Sequence, residues 1–279
     1  MHSEKRSAAA TADLSDELDR ISSRLVDARQ QAKPLAQFPG ALPDNLSDAY
    51  QIQLASISRW PDTVSGWKVG GVPPSFQEQY RADRLAGPIF RNNIKTVDDH
   101  GEVDMSIFAG GFAATEAEFV IRLGETITPG DGELSSDELV AYVASIHIGA
   151  EIAGSPMADI NRMGPGSIIS DFGNNGGLVI GPSIRSWQSQ LSDVVSISVR
   201  VDGALVGTAK TALDQGVMEA LKFLVRLSAE RGLTLTEGTY VSCGAMTGIH
   251  DVTAGSTATV RFEGLGEFSV HFTRKRPAV

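Results

Sequence analysis

Ala114-Thr115-Glu116-Ala117-Glu118-Phe119-Val120-Ile121-Arg122-Leu123 is the stretch on which the reading of this chain turns. Phe119, Val120 and Ile121 are aromatic and β-branched residues that suit a pleated, half-buried surface, so 115–123 reads as a strand. Side chains alternate along a strand, which sends Glu116 and Glu118 to the same face. Two carboxylates side by side repel unless a cation lies between them or one holds a proton. A third carboxylate, Glu151, stands in His147-Ile148-Gly149-Ala150-Glu151-Ile152-Ala153-Gly154, where small and apolar neighbours imply burial. Three carboxylates brought together away from water describe a site for a hard divalent cation such as Mg²⁺ or Mn²⁺. The competing reading is a solvated acidic strand face, which the Glu-x-Glu spacing alone does not exclude.

Working outward, further strands are expected at 67–69, 146–152, 177–180, 194–201, 239–243, 258–262 and 267–272. Asp202-Gly203 and Glu263-Gly264-Leu265-Gly266 are turn signals between strands. Towards the N-terminus the period changes. Leu18, Ile21, Leu25 and Val26 recur at helical spacing behind a Ser15-Asp16-Glu17 start, and a second helix is expected from Ser47 to Trp60. Shorter helices are expected at 136–145, capped by Ser135, and at 215–231, ending at Gly232. The division is then 1–12 as a mobile tail, 13–65 as a helical N-terminal part and 66–279 as a β-rich body. The class is α+β, not a doubly wound parallel fold.

The 279 residues can bury a sizeable core, and 42% hydrophobic with 21% charged residues is ordinary for a soluble protein. No apolar run is long enough to span a bilayer, and the first residues lack the apolar core of a secretory signal. A single cysteine, Cys243, excludes an internal disulfide and any zinc site built on cysteine pairs. It reads as core filler at a strand end, and the compartment expected is cytoplasmic. A net charge of −10 with no basic cluster argues against nucleic acid, whose phosphates demand cations.

Other residues carry possible chemistry. Lys68 lies in Gly66-Trp67-Lys68-Val69-Gly70-Gly71, between apolar neighbours, and either faces a cleft as a base or carboxylate anchor or snorkels at an edge. Asp171 opens Asp171-Phe172-Gly173-Asn174-Asn175-Gly176-Gly177, whose Asp171, Asn174 and Asn175 either orient a ligand or form turns. Gly244-Ala245-Met246-Thr247-Gly248 follows a strand, so that Gly244 and Thr247 can offer an N–H and a hydroxyl to a carboxylate. His147 shares a strand face with Glu151 and is a candidate acid or base. Neither glycine-rich phosphate loop nor nucleophile elbow occurs.

In this order, Gly66–Gly70, Glu116–Phe119, Gly149–Ile152, Asp171–Gly181 and Gly244–Gly248 resemble the 2-keto-4-pentenoate hydratase and 4-oxalocrotonate decarboxylase branch of the fumarylacetoacetase superfamily, over roughly residues 45 to 273. The resemblance implies a fumarylacetoacetase-type mixed β-sheet roll or sandwich with a helical N-terminal part. It implies Glu116, Glu118 and Glu151 as ligands of Mg²⁺ or Mn²⁺, Lys68 as the active-site lysine and the stretch from Asp171 as substrate-contacting. Asp171 and His147, the latter standing where the family has an apolar residue, join Lys68 as catalytic candidates on their own chemistry. Gly71, Asn174, Asn175, Gly244 and Thr247 are then the substrate contacts. The implied activity is that of a metal-dependent lyase of aromatic catabolism on a small 2-oxo acid: a hydratase of a 2-hydroxydienoate, alternatively a decarboxylase of a 2-oxo dicarboxylic acid. A catalytically altered relative is the third alternative. Relatives form homo-oligomers, and one is expected here. One departure stands out: Leu85 occupies the place of a family carboxylate. Arg84 and Arg91 are the cations available to a second substrate carboxylate.

Overall fold

The computed structural model describes residues 2–277 except Gln215. Helices α1 (His2–Gln30) and α2 (Leu46–Arg59) precede strand β1 (Val64–Gly71), helix α3 (Pro74–Tyr80) and strands β2 (Arg84–Phe90), β3 (Ile94–Thr96), β4 (Glu102–Ile107) and β5 (Phe112–Leu123). Helix α4 (Ser136–Leu139), β6 (Val143–Ser155), α5 (Pro165–Ser170) and β7 (Asn175–Ser183) follow. The chain continues through β8 (Val195–Val201), β9 (Ala204–Thr211), α6 (Val217–Glu230), β10 (Tyr240–Ser242), β11 (His250–Asp251), β12 (Thr257–Phe262) and β13 (Gly266–Arg274). The larger sheet runs β2-β1-β10-β5-β6-β7-β3, with β11 also on β5, and the smaller runs β4-β13-β12-β8-β9.

The two sheets face one another across the main core. Phe119, Ile121, Ile148 and Ile152 of the larger sheet share a buried cluster with Val260, Phe262, Phe268 and Phe272 of the smaller and with Leu221 and Leu224 of α6. The rings of Phe119 and Phe262 lie 5.2 Å apart between centroids. Alternation therefore turns the even-numbered residues of β5 to the sheet's other face. There Glu116 pairs with Glu151 of β6, and Glu118 with Gly149. The N-terminal helices add a second cluster in which Leu18, Ile21 and Leu25 of α1 meet Ala49, Tyr50 and Ile52 of α2, together with Leu85, Ile168 and Ile169.

The fold class agrees with the sequence reading, and the differences are local. Helix α1 begins at His2, well before Ser15, because Ala8, Ala9 and Ala10 have high intrinsic helix propensity. The helix expected at 136–145 ends at Leu139, since Val143, Ala144 and Ser145 are drawn into β6, where Val143 and Ser145 pair with β5. Strand β2 was not anticipated because Pro88 stands in it. It is tolerated because β2 is an edge of the sheet, where a missing N–H interrupts no ladder on the open side. The Asp202-Gly203 turn joins β8 to β9, with φ of 49° and 80° at its two residues, the left-handed pair that suits a tight hairpin.

A candidate metal centre on the open face of the larger sheet

Glu116, Glu118 and Glu151 converge. One carboxylate oxygen from each lies within 4.8 Å of the others, and all three residues are buried. Glu118 and Glu151 are 0% exposed, Glu116 5% and Lys68 6%. The register of β5 against β6 and the bulges in β6 against β7 at His147–Gly149 and Ile152–Ala153 hold this geometry. Lys68 enters from β1, with its Nζ 3.5 Å from Oε2 of Glu151. Three carboxylates against one ammonium leave two negative charges, the charge of one divalent ion.

The hydrogen bonds leave matching gaps. Oε2 of Glu118 accepts from the Ser242 hydroxyl and from the Gly244 N–H at 3.0 Å, while Oε1 of Glu118 has no partner among the described residues. Oε1 of Glu151 accepts from the Asn175 side-chain amide at 2.6 Å, and its Oε2 has no hydrogen-bond partner among the described residues. The Lys68 contact to that oxygen is an ion pair, too long for a good hydrogen bond. A buried carboxylate oxygen without a partner is costly, and two aimed at one focus fit a cation. The residues present therefore fit a divalent metal.

Electrostatics agree. Burial, with Glu116 and Glu151 nearby, pushes the Glu118 carboxyl well above its ordinary range. Burial also pushes Glu151 up to about 7, against the opposing pull of Lys68. For Lys68, burial favours the neutral amine, but Glu151, Glu116 and Glu118 outweigh it and hold the ammonium above the usual lysine range. Carboxylates that resist ionisation without a counter-ion are what a vacant-charge site requires.

The other expected residues divide. Asn175 touches the triad directly, and Gly244 does so through its backbone N–H. Asn174 lies in a left-handed turn with Phe172 and Gly173, at φ of 60°, 56° and 67°. Its side-chain N–H donates to Asn161 at 3.3 Å, while its buried carbonyl oxygen has no partner among the described residues. Gly173 of that turn fits against Gly87 and Lys68, where a Cβ would meet the Gly87 Cα at 2.7 Å.

Asp171 is not brought to the triad. Its Oδ1 accepts from Arg29 Nε at 2.5 Å and its Oδ2 from the Ser155 hydroxyl at 2.5 Å, so both oxygens are already occupied. His147 is four residues along β6 from Glu151, about 13 Å at strand rise. Its ring bonds to the Ser145 hydroxyl at 2.9 Å and the Gly181 carbonyl at 3.1 Å, and burial lowers its pKa. It is a hydrogen-bonded sheet residue, away from the carboxylates. Thr247 hydrogen-bonds His250 at 3.0 Å, and His250 pairs with Thr115, whose side chain alternates away from Glu116.

Gly71 and Gly244 line a cleft of about 340 Å³ with Arg84, Cys243 and Met246. Leu85 faces Gly70 on the Lys68 side of the sheet and is buried among the N-terminal helices. Alternation consequently turns Arg84 to the opposite face, and Arg91 lies in a turn beside Ser65. Neither arginine reaches the triad's face.

Two contributors were not singled out in the sequence. Ser242 alternates with the core residues Val241 and Cys243, which is a legible signal for the opposite face. Arg29 follows Leu25 and Val26 at helical spacing, on the buried stripe of α1.

No family model matches the chain, and no curated protein sequence matches it. Solved structures do. The chain is similar to 4-oxalocrotonate decarboxylase from Pseudomonas putida G7 complexed with calcium and acetate, with a TM-score of 0.74 and 21% identity over 92% of this chain and 97% of that one. The same enzyme complexed with magnesium and adipate matches with a TM-score of 0.74, 20% identity and the same coverage. Fumarylpyruvate hydrolase from Pseudomonas aeruginosa in complex with Mn²⁺ and pyruvate matches with a TM-score of 0.57 and 17% identity, over 75% of this chain and 89% of that one. The fold is accordingly of the fumarylacetoacetase type that the motif resemblance implied. Among the described residues no helix is long and apolar enough to cross a membrane.

Proposed function

We propose that this chain is a divalent-metal-dependent lyase acting on a small 2-oxo acid. The observation that carries the reading is the convergence of three buried carboxylates, one oxygen of each within 4.8 Å of the others, with Glu118 Oε1 and Glu151 Oε2 lacking a hydrogen-bond partner among the described residues. Glu116, Glu118 and Glu151 would hold Mg²⁺ or Mn²⁺. Bound there, a divalent ion supplies Lewis-acid stabilisation of the negative charge that grows on a keto oxygen. That the solved structures of similar fold were obtained with calcium, magnesium or Mn²⁺ supports the choice of a hard cation.

The chain's own residues do the rest. Lys68 Nζ, 3.5 Å from Glu151 Oε2 and beside the triad, is the chain's own group placed to carry a proton to the substrate. Ser242 and the Gly244 N–H fix Glu118, and Asn175 fixes Glu151, so the carboxylates do not turn to other partners. The sheet and the turn over Gly173 exclude bulk water from Lys68.

Between the two lyase reactions, Leu85 favours decarboxylation. Conjugate addition of water needs a group that removes a proton from that water, and the position facing Gly70 beside Lys68 carries a buried leucine. Loss of the far carboxylate of a conjugated 2-oxo dicarboxylic acid as CO₂ sends its electron pair through the double bond to the keto oxygen. A divalent ion on the triad would supply the sink for that charge, and Lys68 is placed to protonate the carbon left behind. The hydratase reading is tested in the same assay. Purified protein with Mn²⁺ is given a 2-hydroxydienoate and, separately, a 2-oxo dicarboxylic acid with a conjugated double bond. CO₂ release with no hydration of the dienoate is the expected result. Diene loss without CO₂ establishes the hydratase, and no turnover of either by a Mn²⁺-loaded protein defeats the lyase reading.

A further inference from the structure

Arg29 is among the most completely engaged side chains in the molecule, and nothing in the chemistry above uses it. It leaves the last turn of α1, 4% exposed, and its guanidinium makes four hydrogen bonds. Nε donates to Asp171 Oδ1 at 2.5 Å, and Nη1 to the Asn175 carbonyl at 2.8 Å. Nη2 donates to the carbonyls of Gly154 and Asp171, both at 2.9 Å. The planar group also stacks over Phe172, 5.1 Å from the ring centroid, and approaches Phe108 at 5.5 Å. A rigid fork with its donors fixed in one plane suits this set of acceptors, and a lysine does not reproduce it.

The acceptors are not arbitrary. Gly154 is three residues beyond Glu151 on β6, and Asn175 is the first residue of β7, on which Leu178 pairs with Glu151. Between Ile152 and Ala153 the ladder of β6 and β7 shifts register, and it resumes with Ala153 opposite Asn175. Glycines 154 and 176 bring the two backbones close there, a Cβ on Gly154 meeting the Gly176 Cα at 3.4 Å. Arg29 spans both strands at this shift. The Asn175 amide that leaves the clamp donates to Glu151 Oε1 at 2.6 Å and so fixes the orientation of a carboxylate of the triad.

We propose that Arg29 is a positioning residue for the metal centre: it sets Asn175, and through Asn175 the carboxylate of Glu151, so that the N-terminal helix holds one ligand of the cation in place. This rests on the metal-site reading of the triad. Partners that orient a ligand typically change metal affinity by about 10–100-fold when removed.

The experiment is a Mn²⁺ titration of the full chain, followed by the loss of the free-ion electron paramagnetic resonance signal. It is run on the wild type, Arg29→Lys, Asn175→Ala and the double variant, with thermal melting of each in parallel. Each single variant is expected to weaken Mn²⁺ binding about tenfold or more. The double variant is expected to be no weaker than the worse single, because both changes break one chain of contacts. Arg29→Lys that melts earlier yet binds Mn²⁺ within twofold of wild type would make Arg29 a structural clamp alone and overturn the inference. Effects that multiply in the double variant overturn it as well. Should Arg29→Lys fail to fold, Asn175→Ala at wild-type affinity still refutes the relay. No Mn²⁺ binding by the wild type overturns the metal reading itself, and this inference with it.

Discussion

Two buried ion pairs, both reaching the same end of the larger sheet, differ in how completely they are satisfied. Arg29 and Asp171 form a closed set: every carboxylate oxygen has a donor, and the guanidinium gives three further N–H groups to carbonyls. Lys68 and Glu151 form an open one, in which Glu151 Oε2 has only the ion pair to Lys68 and, among the described residues, neither it nor Glu118 Oε1 has a hydrogen-bond donor. Burial of charge is tolerated in both. The closed pair has both carboxylate oxygens and four guanidinium N–H groups engaged within the protein, so it acts on the site only by holding its neighbours in place. The open pair keeps capacity in reserve for something that arrives from outside. Completeness of bonding, rather than burial or charge, separates the scaffold from the site.

The sharpest test of that contrast is neutralisation of one carboxylate in each. Glu118→Ala is expected to weaken Mn²⁺ binding by more than 100-fold and to abolish turnover, read by calorimetric titration and CO₂ release. Asp171→Asn leaves the buried guanidinium unpaired and is expected to cost about 3–5 kcal/mol of stability in urea unfolding. Glu151→Gln, in the metal-free protein, is expected to cost nothing or to stabilise, because it relieves buried like charge. If Glu151→Gln destabilises the metal-free chain as much as Asp171→Asn does, the distinction fails.

Next in size is Lys68→Met, which keeps the bulk of the stem and removes the charge. Turnover is expected to fall by about 10²–10⁴-fold, the usual range for a proton carrier. Mn²⁺ affinity should be unchanged or tighter, since a competing cation has gone. A variant that loses metal and activity together would instead make Lys68 part of the binding framework.

The smallest expected effect is on pH dependence. Glu151 is raised from 4.5 to about 7 in the folded chain, so the folded state keeps a proton that the unfolded state releases. Stability of the metal-free protein then falls as pH rises from about 4.5 through 7, and the penalty is absent below that window and complete above it. Its size is on the order of 3 kcal/mol or less. Saturating Mn²⁺ should flatten the slope, and Mn²⁺ affinity should drop as pH falls through 7, where the ion competes with protons. Melting temperature against pH, with and without Mn²⁺, reads both.

Much of this was legible in the sequence because alternation is a strong signal where one face is core. Phe119 and Ile121 fixed the orientation of Glu116 and Glu118, and small residues around Glu151 reported its burial. What escaped depends on contacts between distant segments. His147 has the right parity for the site, but parity gives a face and not a distance. Asp171 has the right chemistry, but its oxygens are claimed by residues 142 and 16 positions away. Arg29 sits in a helix that periodicity found easily, yet no local pattern says which strands its side chain will meet. Leu85, conversely, was visible as a departure, and only its packing against the N-terminal helices shows that the position has become part of a hydrophobic cluster.

The Glu118–Ser242 bond joins residues separated by 124 positions, and Arg29 reaches 142 positions forward. Such wide separations make ring closure entropically slow, and they cannot form until both ends of the polypeptide have been synthesised. A nascent chain emerging only through β6 therefore carries all three acidic ligands but not Asn175, Ser242 or Gly244, the residues that hydrogen-bond them in the finished fold.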